Sequence, residues 1–260
     1  MVSARDFLVR GLLAGLLAGL AAFGVAYAVG EPSLNAAIAL EGAAHEHATS
    51  ERATHEHSAD GDSEQTATDV PRALQSTVGL ASGTLVAGAT LGGLLGVLSA
   101  LALGRFGSLG PRATALLLTG VGFVAIAVLP FLAYPPNPPA VGSAETIGDR
   151  TTSYVLMVAI SVISAVTAVI VARKLAVTWG PWYASLAAIA GYLALTLTAV
   201  ALLPTYDEVP ADFPATVLYE FRLGSFATQL TLWSVLGVSL AESVHRLAAR
   251  RTRTLVDATR

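Results

Sequence analysis

Six apolar stretches, each long enough to cross a bilayer, dominate this chain and leave little freedom in what it can fold into. They run near 11–29, 78–103, 113–133, 154–172, 183–203 and 224–241, and none carries Lys, Arg, Asp or Glu in its interior. A span needs about 20 mostly apolar residues to cover the ~30 Å hydrocarbon core. The expected fold is therefore all-α: a polytopic helical membrane protein whose six transmembrane helices form three helix–outer loop–helix hairpins, with residues 1–260 a single integral-membrane domain. The connections alternate in charge. The N-terminus, 104–112, 173–182 and 242–260 hold 11 of the 15 Lys and Arg, with Asp6, Glu242 and Asp257 as their acids. The segments 30–77, 134–153 and 204–223 hold the other 15 of 18 acids, with Arg52, Arg72, Arg150 and Arg222 as their bases. Basic short loops stay cytoplasmic. This predicts a multi-pass protein of the cell membrane with both termini in the cytoplasm and three acidic loops outside.

Composition excludes several classes. With 13% charged residues the chain is far from the ~25% of soluble domains. It has no cysteine, hence no disulfide, thiolate metal site or thiol nucleophile. No basic face larger than the C-terminal arginines exists, which argues against nucleic acid. No phosphate-binding glycine loop, nucleophile elbow or HExxH pattern occurs, so the expectation is not an enzyme. A single lysine, Lys174, stands against 14 arginines, a bias that points to a GC-rich prokaryotic source.

The first span, with Arg5 and Arg10 before it and Ala26-Tyr27-Ala28 after it, shares features with a cleavable signal peptide. Its apolar run exceeds the 7–15 residues of a signal core, which favours a retained helix. Gly11, Gly15 and Gly19 recur at four-residue steps there, as do Gly88, Gly92 and Gly96 in the second span. Such stripes let helix backbones approach in lipid. A glycine-lined path for an ion is the functional reading, and close packing is the plainer one.

Residues 41–69 are nearly all Ala, Thr, Ser, Glu, Asp and His, a composition that cannot bury enough surface to offset its ordering entropy. A disordered outer loop is expected. It carries two copies of one tripeptide, His45-Glu46-His47 and His55-Glu56-His57. Imidazole suits divalent transition metals, so His45, His47, His55 and His57, with Glu46 and Glu56, are the candidate metal ligands. The plainer alternative is a solvated polar linker. A second candidate set is the acidic third loop, where Asp207, Glu208 and Asp212 could draw a divalent cation to a pore mouth. Glu220 reads as solvated surface. Arg222, just beyond, is expected to pair with one of these acids. Within the spans, polarity is confined to patches such as Ser161, Ser164 and Thr167, and Thr228, Gln229, Thr231 and Ser234. Gln229 is the candidate ion-path residue among them, with interhelical hydrogen bonding the commoner role.

The second and third outer loops repeat a theme. Each opens on Leu-Pro (Leu129-Pro130, Leu203-Pro204), places a tyrosine soon after (Tyr134, Tyr206), runs through prolines and ends on an arginine (Arg150, Arg222). Proline blocks helix continuation and fixes φ, so both loops should be rigid and folded back onto helix ends.

The strings Tyr134-Pro135-Pro136-Asn137-Pro138-Pro139-Ala140-Val141-Gly142, Thr146-Ile147-Gly148 and Arg150-Thr151 resemble the CbtA family of predicted cobalt transporter subunits. So do Glu208-Val209-Pro210-Ala211-Asp212-Phe213-Pro214, Phe221-Arg222, Thr228-Gln229 and Trp233, and the opening segment with Gly30-Glu31-Pro32 and Ala39-Leu40-Glu41. The resemblance spans nearly the whole chain apart from the histidine loop. It implies a membrane subunit for Co²⁺ uptake, linked to cobalamin synthesis and working beside a small single-span CbtB-like partner. It supplies no ligand set. Co²⁺ and Ni²⁺ are neighbours in the affinity order and are not separated by these residues. The rival expectations are a membrane metal sensor or chaperone that moves nothing, and a membrane scaffold without ion specificity.

Overall fold

A computed structural model describes residues 3–53, 71–105 and 109–258. The described residues are helical apart from short connections. α1 (Ala4–Val25) passes through a π-helical turn, Ala26–Gly30, into α2 (Glu31–Ala53). The short α3 (Arg72–Leu74) leads through a second π turn, Gln75–Gly79, into α4 (Leu80–Ala102). α5 (Pro111–Phe123) starts on a proline, whose missing N–H costs nothing at a helix start, and continues through a third π turn, Val124–Val128, into α6 (Leu129–Ala133). α7 (Ile147–Leu202) and α8 (Ala215–Ala258) complete the chain.

Among the described residues five segments, not six, are long and apolar enough to cross a membrane as continuous helices: Ala4–Ala43, Arg72–Ala102, Pro111–Ala133, Ala144–Leu202 and Ala215–Ala249. The expected spans 154–172 and 183–203 fall together in the fourth, which is 59 residues long. The basic connection between them does not form a separate loop. It stays helical up to Gly180, where φ 76° and ψ 159° break the path immediately before Pro181. Glycine tolerates that φ at no steric cost, and proline cannot continue the ladder. The break reverses the chain. Ser161 and Tyr192, 31 residues apart, share a hydrogen bond of 2.9 Å between their hydroxyls. In a straight helix they would be ~46 Å apart. α7 is thus a hairpin of two arms.

α1 lies along α4 and both pack on α8, which α5 also contacts. The core where they meet includes Phe7, Leu95, Leu232, Trp233, Leu236, Leu240 and Val244. The glycine stripes sit between α1 and α4, backbone against backbone. A Cβ at Gly19 would lie 2.5 Å from the Thr84 carbonyl oxygen, and one at Gly96 2.5 Å from that of Phe7. Cβ atoms at Gly11, Gly15, Gly88 and Gly92 would run deeper still into the facing backbone. Of the two readings of these stripes this bears out close packing over a glycine-lined path: the face is shut, and its glycines serve close approach. α7 joins the bundle mainly through α6, the π turn before it and the 3₁₀ turn Ala144–Thr146.

The basic end of the bundle is tied by ionic contacts. Glu242 of α8 accepts from Arg112 of α5 at 2.8 and 3.0 Å and from Arg246 at 2.7 Å. Arg10 donates to the Ser243 carbonyl at 3.2 Å.

Candidate functional site

At the acidic end, the two proline-rich loops hold one another. The first, 134–146, follows α6, and the second, 203–214, follows α7. The Tyr134 hydroxyl donates to the Pro204 carbonyl at 2.8 Å, and the Tyr134 and Tyr206 rings lie 6.3 Å apart. Tyr206 and Ser153 share a hydrogen bond of 3.1 Å. Burial raises the Tyr134 phenol above its ordinary pKa of 10.0, against the lowering effect of the Ser153 hydrogen bond, so it remains a donor.

The two arginines cross over. Arg222 was expected to pair with an acid of its own loop, and it does not. Its Nη2 donates to Asn137 Oδ1 at 2.8 Å and its Nε to the Pro136 carbonyl at 3.4 Å, both in the first loop. Arg150, which follows the first loop, lies 3.5 Å from Glu208 in the second. Arg150 also reaches the Ser143 carbonyl at 3.2 Å. It fits because Gly142, at φ 116°, has no side chain where the guanidinium rests; a Cβ there would meet Nη2 at 2.7 Å. Glu208 accepts from the Ser143 amide at 2.8 Å. The Thr146 hydroxyl and that amide, with a lesser contribution from the Arg150 charge, hold its carboxyl below the ordinary 4.5 against the opposing effect of burial. Glu208 is therefore a structural carboxylate of the clasp.

A cavity of about 520 Å³ opens between the loops, lined among others by Tyr134, Asn137, Arg150, Tyr154, Tyr206, Asp207 and Arg222. Two guanidiniums and one carboxylate face it, so its interior does not suit a bare divalent cation. Asp207 and Asp212 differ from Glu208. Both are exposed, and among the described residues neither forms an ion pair, so their charge is uncommitted. Gln229 is exposed on the outer surface of α8. Ser161 is buried in the hydrogen bond to Tyr192, and Thr228 returns its hydroxyl to the Gly224 carbonyl at 2.8 Å.

Helix α2 covers the first part of the segment expected to be disordered, through Ala53. His45, Glu46 and His47 fall on its backbone, with their side chains outside the described residues; His55, Glu56 and His57 lie outside them altogether. Among the described residues no group of three or more His, Asp or Glu is placed to hold a metal.

A second polar cluster escaped the sequence reading. Glu31, counted among outer-loop acids, is only 8% exposed and forms an ion pair with Arg72. Arg72 Nε also donates to Asn35 Oδ1 at 3.0 Å. The signal that could have revealed it was the lone Arg72 beside an apolar span, opposite Glu31 beside another.

Long apolar helices closed by glycine contacts and tied by polar clasps at both ends define a multi-pass helical membrane protein. Residues 4–245 match the family described as probable cobalt transporter subunit (CbtA), and the chain belongs to that family. No curated protein and no solved structure matches it.

Proposed function

We propose that this chain is the membrane subunit of a divalent-cation uptake system, with Co²⁺ as cargo and Ni²⁺ its nearest competitor. The family match over 4–245 carries the reading. Two features support it: uncommitted Asp207 and Asp212 at the acidic end, and the His45/His47 and His55/His57 pairs with Glu46 and Glu56. In this reading the chain crosses the membrane six times, the two arms of α7 counting separately. Both termini lie in the cytoplasm, as the charge split requires. The charges of the histidine segment concentrate the ion, and Asp207 and Asp212 receive it at the outer surface. With the glycine face shut, the route inward runs elsewhere than between α1 and α4. As the resemblance to the CbtA family implies, a small CbtB-like membrane partner joins it in function.

Uptake of radiolabelled cobalt into cells carrying this chain, with and without such a partner, tests the reading. Accumulation above that of empty cells is expected, largest with the partner present. Cobalt binding by the purified protein without uptake would instead make it a sensor or chaperone, and neither binding nor uptake would leave a scaffold.

A further inference from the structure

The buried Glu31–Arg72 contact has the form of an ion site filled by a side chain. Glu31 and Asn35 are four residues apart on α2, so their side chains share one face. Their oxygens, one from a carboxylate and one from an amide, accept hydrogen bonds from a single guanidinium. Burying a carboxylate is costly unless a partner pairs with it. Arg72 is that partner, with 34% of its side chain exposed to solvent against 9% for Glu31. It stands at the first residue of the three-residue α3.

Local backbone irregularity surrounds the pair. The π turn Ala26–Gly30 ends immediately before Glu31, and the π turn Gln75–Gly79 begins three residues after Arg72. Such turns occur often at functional sites. Gly224 of α8 packs on the first of them; a Cβ there would lie 3.2 Å from Gly30 Cα. The carboxylate is thus presented from a widened helix turn, against the wall of the bundle.

We propose that Glu31 and Asn35 form an oxygen site for a divalent cation, and that Arg72 is its tethered occupant, displaced when the ion arrives. The inference rests on the reading of the chain as a cation carrier and names an acceptor for the ion, with Glu31 buried and Asn35 exposed. Carboxylate and amide oxygens are ordinary ligands for divalent ions, and water completes the shell. The guanidinium keeps the site neutral between ions. Its swing into solvent exchanges one positive partner for another, so Glu31 is never left bare. Affinity for the ion is then the difference between two occupants, and weakening the tethered one must strengthen the other.

The test uses the full-length protein in lipid nanodiscs, with His45, His47, His55 and His57 replaced by Ala so that the histidine segment contributes nothing. The midpoint of thermal unfolding is followed against CoCl2, with MgCl2 in parallel. Arg72→Gln should lower the midpoint in EDTA, and Co²⁺ should restore it at a concentration at least tenfold below that which shifts the Arg72 protein. Adding Glu31→Gln should abolish the restoration. Should Arg72→Gln fail to fold, Arg72→Lys, which cannot span both oxygens, is expected to move the effective cobalt concentration severalfold downward. An Arg72→Gln protein that no divalent ion restores, restoration that survives Glu31→Gln, or an unmoved Arg72→Lys protein would each overturn the proposal and leave a structural ion pair. The readout requires no transport. Absent cobalt uptake by the parent chain would sink the carrier reading alone, and absent metal response with normal uptake would sink the tethered-occupant inference alone.

Discussion

Gly92→Ala and Gly83→Ala place the same methyl group at two positions of one helix, α4, with opposite expected consequences. At Gly92 the new Cβ would lie 2.7 Å from Gly15 Cα and 2.8 Å from Gly15 N, where ordinary contact is 3.4–4 Å. Both neighbours are backbone and cannot rotate aside, so α1 and α4 must part locally by at least 0.7 Å. A gap of that size forfeits roughly a quarter to a half of each facing dispersion contact. Overpacking of this kind costs about 1–3 kcal/mol. At Gly83 a Cβ meets nothing within 4 Å, and alanine gains up to ~1 kcal/mol in helix propensity, a value from water that lipid reduces. Unfolding of the purified protein in detergent, by heat or by denaturing surfactant, should therefore rank Gly83→Ala at or above the parent and Gly92→Ala below it. Gly11→Ala, whose Cβ would run into the Gly92 carbonyl from α1, should match Gly92→Ala. The double variant should cost less than the two single costs added, because one separation of the helices relieves both. If Gly92→Ala is as stable as the parent while cobalt uptake falls, the glycines line a path and the closed-face argument is wrong.

Asp207→Asn with Asp212→Asn should lower cobalt uptake more than replacing all four loop histidines does, with membrane abundance unchanged. Because Arg222 is held by Asn137 rather than by these acids, a parallel fall in abundance would refute the role at the ion's point of arrival. Glu208 gives a pH signature. Its carboxyl is held below the ordinary 4.5, so its contribution to stability is full above that value and is lost as pH falls through the lower folded value. The difference in unfolding midpoint between the parent and Glu208→Gln should be constant from pH 7 to about 5 and shrink below 4.5; a difference that grows on acidification would contradict the clasp. Cysteines introduced at 60 and 140 should react with an impermeant thiol reagent applied to intact cells, and one at 108 should not; labelling of 108 alone would reverse the orientation.

The parts of this architecture legible in the sequence are those set by local rules. Span positions follow from hydropathy, and the break at Gly180-Pro181 from backbone chemistry, although the chain stays helical right up to it and the fourth and fifth spans merge into one element. The glycine stripes at four-residue steps announced close packing, but only the facing backbones of α1 and α4 decide that the face is shut. Partner choice was not legible. Arg222 stands within two residues of Glu220 and ten of Asp212, and it bonds instead to Asn137 across the clasp. Arg150 in turn meets Glu208, 58 residues away. The burial of Glu31 could not be read from its segment, because it is a property of the assembled helices.

The crossed arginines matter because of what the two loops are attached to. One loop delivers the chain into the first arm of α7, and the other receives it from the second arm. The hairpin meets the remaining helices mainly through α6, the turns beside it and these loops. Within the hairpin the arms are joined by Ser161 and Tyr192. The arms therefore behave as one body, hung from the core at the acidic end. Tyr134 on Pro204, Arg222 on Asn137 and Arg150 near Glu208 fasten each leash to the other rather than each to its own helix. One consequence is that no single leash can loosen without releasing its counterpart. The same contacts place Asp207 on the cavity, so any ion held there bears on the joint from which the hairpin hangs. A clasp built this way links charge at the acidic end to the position of two helices at once, which separate loops pairing with their own acids would not do.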